Sequence, residues 1–337
     1  MQKLNMKQWI AGVIAQKQVA AIPIMTHPGI ELIGDTVRNA VSDGEVHYRS
    51  IKALADKYPT AGATVIMDLT VEAECFGADI AFEDNAVPAV VGHILNNADD
   101  IRNMKVPPLS TGRIKEYLKA NLLAARNITD RPVFAGCIGP FSLAGRLYDM
   151  SEIMVLIYQD PEAADILLGK CTDFILKYCM ALKETGVAGV VMAEPAAGLM
   201  SDEDCERFSS VFVKRVVDAV QDDSFSVVLH NCGNTGQCTH AMAVTGAAIY
   251  HFGNKIDMVE AIKGVPAGTL AVGNIDPVQM FKDAKSEEMY ACTMDLLNAT
   301  KDYPNFVLSS GCDTPPATPF ANIDAFFRAL DDFNKRS

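Results

Sequence analysis

The sequence has no run of eighteen or more consecutive apolar residues among its 337, and a helical membrane span needs roughly that many. A membrane is therefore not expected as a partner. Basic residues are also scarce, with 29 Lys and Arg against 42 Asp and Glu and a net charge of −13. Nucleic-acid binders cluster Lys and Arg to meet phosphates, so nucleic acid is excluded as a partner. The turns GNIDP, GCIGP and AEPAAG do not match the G-x-G-x-x-G fingerprint, which argues against a doubly wound dinucleotide-binding sheet. No linker or low-complexity tract divides the chain. The nine cysteines lack the short, even spacing of a disulfide framework. The N-terminal apolar stretch is broken by Gln16, Lys17 and Gln18, unlike the apolar segment of a secretory signal, and a reduced, cytoplasmic setting is expected.

What the sequence does contain is an apolar fraction of 49% and a charged fraction of 21%, the balance of a soluble globular protein. β-Branched apolar runs ending in Gly, Pro or Asn occur at 19–25, 63–69, 132–139, 188–195, 225–232, 247–253, 269–276 and 306–312. Helical periodicity separates them. The clearest case spans 161–185, with Asp160 as cap, Pro161 in the first turn, and Leu167, Cys171, Phe174, Tyr178 and Leu182 on one face. A second spans 202–220, with Phe208, Val211, Phe212, Val216 and Val220 facing inward. Eight continuous apolar strands alternating with helices predict an α/β fold, a (β/α)8 TIM barrel formed by one domain over 1–337. The excess length is assigned to an N-terminal helix over 1–18, packing through Trp9 and Ile10, and to an insertion at 77–112 after the second strand.

Active sites of such barrels lie on the loops after the strands. The polar residues there are His27, Asp68 with Glu72 and Glu74, Cys137, Glu194, His230 with Cys232, His251, Asn274 with Asp276, and Cys312 with Asp313. Alternation on a strand sends His230 and Cys232 to one side, and Cys312 joins them only if the sheet closes. One imidazole and two thiolates select zinc, and three protein ligands leave a fourth position open, as catalytic zinc requires. His27, His251 and Glu194 are candidates for that position. The competing reading makes Cys232 and Cys312 small buried hydrophobes and His230 a hydrogen-bonded core residue.

The segments MDLTVEAECFGADI (67–80), GCIGPFSLAGRLYD (136–149), VLHNCGNT (228–235), AVGNIDP (271–277) and LSSGCDTPPATP (308–319) resemble the uroporphyrinogen decarboxylase superfamily. They are most similar to its methylcobamide:coenzyme M methyltransferase branch. The resemblance implies catalytic Zn²⁺ on His230, Cys232 and Cys312, a methylcobamide (corrinoid) methyl donor carried by a small corrinoid protein, and a small-molecule thiol as acceptor. It further suggests Glu194 as proton acceptor or exchangeable zinc ligand. His27 is read as a substrate contact or as an element ordering the turn before Pro28. Asp68 matches the carboxylate with which decarboxylases hold pyrrole nitrogens, and reads equally as a loop-ordering or capping residue. Asn274, Asp276 and His251 are assigned to substrate binding at the barrel mouth, Asp276 also as a cap for the helix at Pro277. The alternative function is a decarboxylase of a tetrapyrrole or related acid. It is disfavoured because Arg38 is the only arginine in the segment 25–38, where decarboxylases carry several. A zinc hydrolase fits less well, because hydrolytic sites lean on His and carboxylate. A purely binding barrel would need a coordinatively closed metal site.

Overall fold

The computed structural model describes residues 4–336. Among the described residues, ten strands form two sheets. They are β1 (Ala20–Ala21), β2 (Ala63–Thr64), β3 (Asp79–Ala81), β4 (Ala89–Val91), β5 (Val133–Ile138), β6 (Gly189–Ala193), β7 (Ser226–Asn231), β8 (Ile249–Phe252), β9 (Leu270–Ile275) and β10 (Phe306–Ser310). Eight of them pair in parallel in the order β1-β10-β9-β8-β7-β6-β5-β2, with helices between successive strands. The two ends of this ladder meet where Ala61 N donates to Ala21 O at 2.8 Å, so the sheet curls into a (β/α)8 barrel. Ile22, Ile24, Phe134, Val191, Val228, Ile249, Leu270, Val272 and Val307 point into it and form its buried core. The helix Met6–Ala15 inserts Met6, Ile10 and Val13 into the same cluster, and Trp9 packs edge-on against Phe134.

The strand positions follow the apolar runs, but β1 and β2 leave the ladder earlier than the sequence suggests. Pro23 has no N–H to continue β1. Beyond it, Ile24 N bonds to Ser310 Oγ and Met67 N to Thr26 Oγ1, so side chains replace the ladder where the mouth begins.

The long helix is Pro161–Glu184, with Asp160 accepting from Ala163 N and the expected five residues buried. The predicted helix over 202–220 is broken into Asp202–Cys205, a π turn Glu206–Ser210 and Val211–Val220. The wider turn rotates the helix that follows, so Val211 is exposed, contrary to the expected face, and Ser209 and Ser210 are buried. Residues 77–112 hold the antiparallel ribbon β3–β4 and the helix Ala98–Asn103. Lys170 on the long helix donates to Ile101 O, Arg102 O and Met104 O, which satisfies the carbonyls at that short helix's end. Among the described residues, no helix is long and apolar enough to cross a membrane.

Candidate metal centre

His230 lies on β7, Cys232 just beyond it, and Cys312 two residues past the end of β10. Strands β8 and β9 stand between their parent strands, so only the curvature of the barrel brings the three together. Their ligand atoms all lie within 4.8 Å of one another. Cys312 Sγ is 3.6 Å from His230 Nε2. With metal bonds of about 2.3 Å to sulfur and 2.0–2.1 Å to nitrogen, a tetrahedron has an S–N edge of about 3.6 Å, so the donor set fits zinc in kind and in spacing. His230 is buried, while Cys232 and Cys312 are half-buried and face the mouth. The neighbouring Cys312, with the Lys255 ammonium, holds the Cys232 thiol below its ordinary range, while the neighbouring Cys232 and burial push the Cys312 thiol up. The thiolate is the form a metal binds, and the surroundings of Cys232 favour it more than those of Cys312 do.

His251 sits behind this group. Its Nδ1 is 2.8 Å from His230 Nδ1 and its Nε2 is 2.9 Å from Ser309 Oγ. Both ring nitrogens are engaged within the protein, so the structure moves His251 from substrate binding to the support of His230. Asp313, adjacent to Cys312, accepts from Thr26 N at 2.7 Å, and burial pushes its carboxyl up to about 7. That bond docks the first turn of the helix Thr26–Leu32 beside the cysteine. His27 on this turn is buried and has no hydrogen-bond partner among the described residues. Burial, assisted by the Lys282 ammonium, lowers its pKa to about 4, so it faces the mouth as a neutral imidazole.

Glu194 is not among the clustered ligand atoms. It is buried with Oε1 accepting from Phe141 N (2.7 Å) and Ser209 Oγ (3.1 Å) and Oε2 from Ser142 N (2.9 Å). It therefore caps the helix Pro140–Tyr148 from the neighbouring strand, where a carboxylate meets the positive helix end. These contacts are those of a helix cap, and they differ from its expected place as a proton acceptor or metal ligand beside the clustered thiols. The π turn that displaced Val211 is what brings Ser209 to it.

Asp68 is likewise saturated. Oδ1 accepts from Thr70 N and Thr70 Oγ1, and Oδ2 from Arg113 Nη1 (2.6 Å) and Tyr117 OH (2.8 Å). The loop-ordering reading is the one its contacts match, and a catalytic role is not. Asn274 Nδ2 donates to Gly253 O and Ile256 O. Asp276 caps the turn at Pro277 through Val278 N and Gln279 N and accepts from Asn254. Through these bonds both residues shape the rim of the mouth. Sequence reasoning passed over Lys282 and gave Asp313 no role. The only signal for Asp313 was its place beside Cys312.

Glu72 departs from this pattern of saturation. Oε1 accepts from Ile138 N at 3.0 Å, but the buried Oε2 has no hydrogen-bond partner among the described residues, and burial raises the carboxyl to about 7. The native state therefore binds more protons than the unfolded chain between about 4.5 and 7, and this group's contribution to stability is lost as pH rises through that window. Glu72→Gln is expected to flatten that dependence. The check is the denaturation midpoint of both proteins at pH 5 and pH 8, and an equal drop in the two would discard the assignment.

A family model described as uroporphyrinogen decarboxylase (URO-D) matches residues 13–333. The chain is 32% identical over 289 residues to methylcobamide:CoM methyltransferase MtbA of Methanosarcina mazei, covering 82% of this chain and 84% of that one. With MtbA of Methanosarcina acetivorans the identity is 30% over 313 residues, covering 88% and 90%. With uroporphyrinogen decarboxylase of Proteus mirabilis it is 25% over 294 residues, covering 83% and 81%. A solved methyltransferase from Methanosarcina mazei superposes with a TM-score of 0.88 at 22% identity over 98% of this chain and 99% of that one, a likeness of fold.

Proposed function

The chain belongs to the uroporphyrinogen decarboxylase (URO-D) family, on its methylcobamide:CoM methyltransferase-like branch, and from this premise we propose that it is a zinc-dependent methyltransferase. It moves a methyl group from a methylated corrinoid, carried by a small partner protein, to a thiol such as coenzyme M. The observation that carries this reading is the convergence of His230, Cys232 and Cys312 at the barrel mouth. When bound there, zinc replaces the proton on an acceptor thiol and keeps its sulfur a nucleophilic thiolate at neutral pH.

The protein's own residues prepare that exchange. Cys232 and Cys312 supply two negative charges that neutralise the ion, and His230 supplies a third, neutral ligand. His27 offers an uncharged ring beside the Cys312 turn and Lys282 a positive charge, which orient the acceptor without competing for its sulfur. Glu194 and Asp276 hold the first turns of the helical segments after β5 and β9 in place, and so fix the shape of the opening over which the corrinoid carrier docks.

A decarboxylase reading finds no support in the same residues. Arg38 is exposed and spent on Asp84 and Phe82 O, and Asp68 has no acceptor lone pair left for a pyrrole N–H.

Metal analysis of the purified protein, followed by zinc X-ray absorption with and without a panel of thiols, tests the proposal. Zinc with two sulfur ligands at rest and three after addition of the acceptor thiol is expected. Absence of zinc, or sulfur ligation unchanged across the panel, would overturn it.

A further inference from the structure

We infer that Ser309 and His251 form a directional hydrogen-bond chain that fixes the tautomer of His230, presenting its Nε2 as a bare lone pair to the metal, and that His251 is therefore a positioning residue. The inference rests on the zinc reading above only for the identity of the ion. The direction of the chain is set by the fold.

It begins at a backbone carbonyl. Ser309 Oγ lies 2.7 Å from Ile22 O, which can only accept, so the single hydroxyl hydrogen points there. Were it turned elsewhere, this contact would be lost and a buried carbonyl would forfeit a donor. With its hydrogen committed, Ser309 Oγ can only accept from His251 Nε2, 2.9 Å away, so that nitrogen carries the ring's hydrogen. The His251 ring is enclosed by protein, and its two nitrogens meet only a hydroxyl oxygen and another ring nitrogen, with no carboxylate to balance a second hydrogen. Its Nδ1 is then a bare acceptor 2.8 Å from His230 Nδ1, which must donate. An imidazole that ligates a metal carries one hydrogen, and with that hydrogen on Nδ1 the His230 Nε2, 3.6 Å from Cys312 Sγ, is left bare.

Three strands contribute one member each. Ser309 is on β10, His251 on β8 and His230 on β7, and His230 and His251 are register partners in the parallel ladder. Ile22 follows β1. The chain of bonds thus crosses the barrel interior beneath the thiols and is rooted in the backbone, so the state of the ligand does not depend on solvent. An outer partner that holds a metal-binding imidazole in one tautomer typically affects metal affinity by 10–100-fold.

The test measures zinc affinity by competition with a chromophoric chelator in wild type, Ser309→Ala, Ser309→Thr and His251→Phe. Ring-nitrogen tautomers are read separately by 15N NMR on the metal-free wild type. Ser309→Ala and His251→Phe are expected to weaken zinc by about 10–100-fold, while Ser309→Thr, which keeps the hydroxyl, restores it. The spectrum should place hydrogen on Nε2 of His251 and Nδ1 of His230. Unchanged affinity in both disruptive variants, or hydrogen on Nδ1 of His251, would overturn the inference. A wild type that takes no zinc but has the expected tautomers would sink the metal assignment and leave the chain of bonds standing. The NMR arm needs no variant to fold.

Discussion

Cys312→Ser should abolish thiol-dependent demethylation of methylcobalamin, by about a thousandfold or more. The change removes one of the two thiols in a three-residue donor set. A serine hydroxyl is a poor ligand for a borderline-soft ion that prefers sulfur and imidazole. A metal's polarisation of a reacting group contributes several kcal/mol, and each 1.36 kcal/mol is a decade in rate. Serine is close to cysteine in size and the site is half-buried, so the fold is expected to persist with less than about 1 kcal/mol change in stability. Steady-state rates with methylcobalamin and a thiol, alongside zinc content and a thermal melt, separate the two effects. Surviving activity would mean that the ligand assignment is wrong.

The largest stability effect is expected at Arg113. Its guanidinium reaches Asp68 at 2.6 Å, Glu74 at 2.7 Å, Thr70 Oγ1 and Val41 O, and it lies over the Phe82 ring. The Asp68 side chain is fully enclosed, so Arg113→Ala leaves a charge with no solvent to take over. Breaking a buried pair from one side costs about 3–5 kcal/mol. Asp68→Asn in the Arg113→Ala background should recover part of that loss, because the stranded charge is gone. Denaturant unfolding of the two single variants and the double variant measures this. Strict additivity would show that the two side chains do not act as a unit.

Much of the fold is legible in the sequence. Buried parallel strands read as unbroken apolar runs, and each of the eight falls where a run stands. The helix Pro161–Glu184 is legible for the same reason, since its cap, its Pro and its inward stripe lie within one stretch of chain. The helix over 202–220 is less so, because a π turn adds one residue's rotation and nothing in the local spacing announces it. The candidate metal group was legible as three residue types at strand ends, with a resemblance to give it meaning. The roles of the polar residues around it were not. Glu194 stands at the end of the fourth barrel strand like a catalytic carboxylate, yet the backbone N–H groups that claim it belong to Phe141 and Ser142, more than fifty residues earlier. His251 was assigned to substrate because its strand ends at the mouth, and only its register with His230 turns it inward.

Sequence by itself therefore determined the absences and the periodicities: no long apolar run, no excess of basic charge, no dinucleotide loop, eight apolar strands, and cysteines paired with a histidine at strand ends. These depend on local composition and on the order of residues along one strand or helix. Tertiary structure alone decided which polar groups remain available for chemistry. A hydrogen-bonding group is free or spent according to what another segment places within about 3 Å of it, and closing the barrel brings residues 22, 230, 251, 309 and 312 together from four separate stretches of chain.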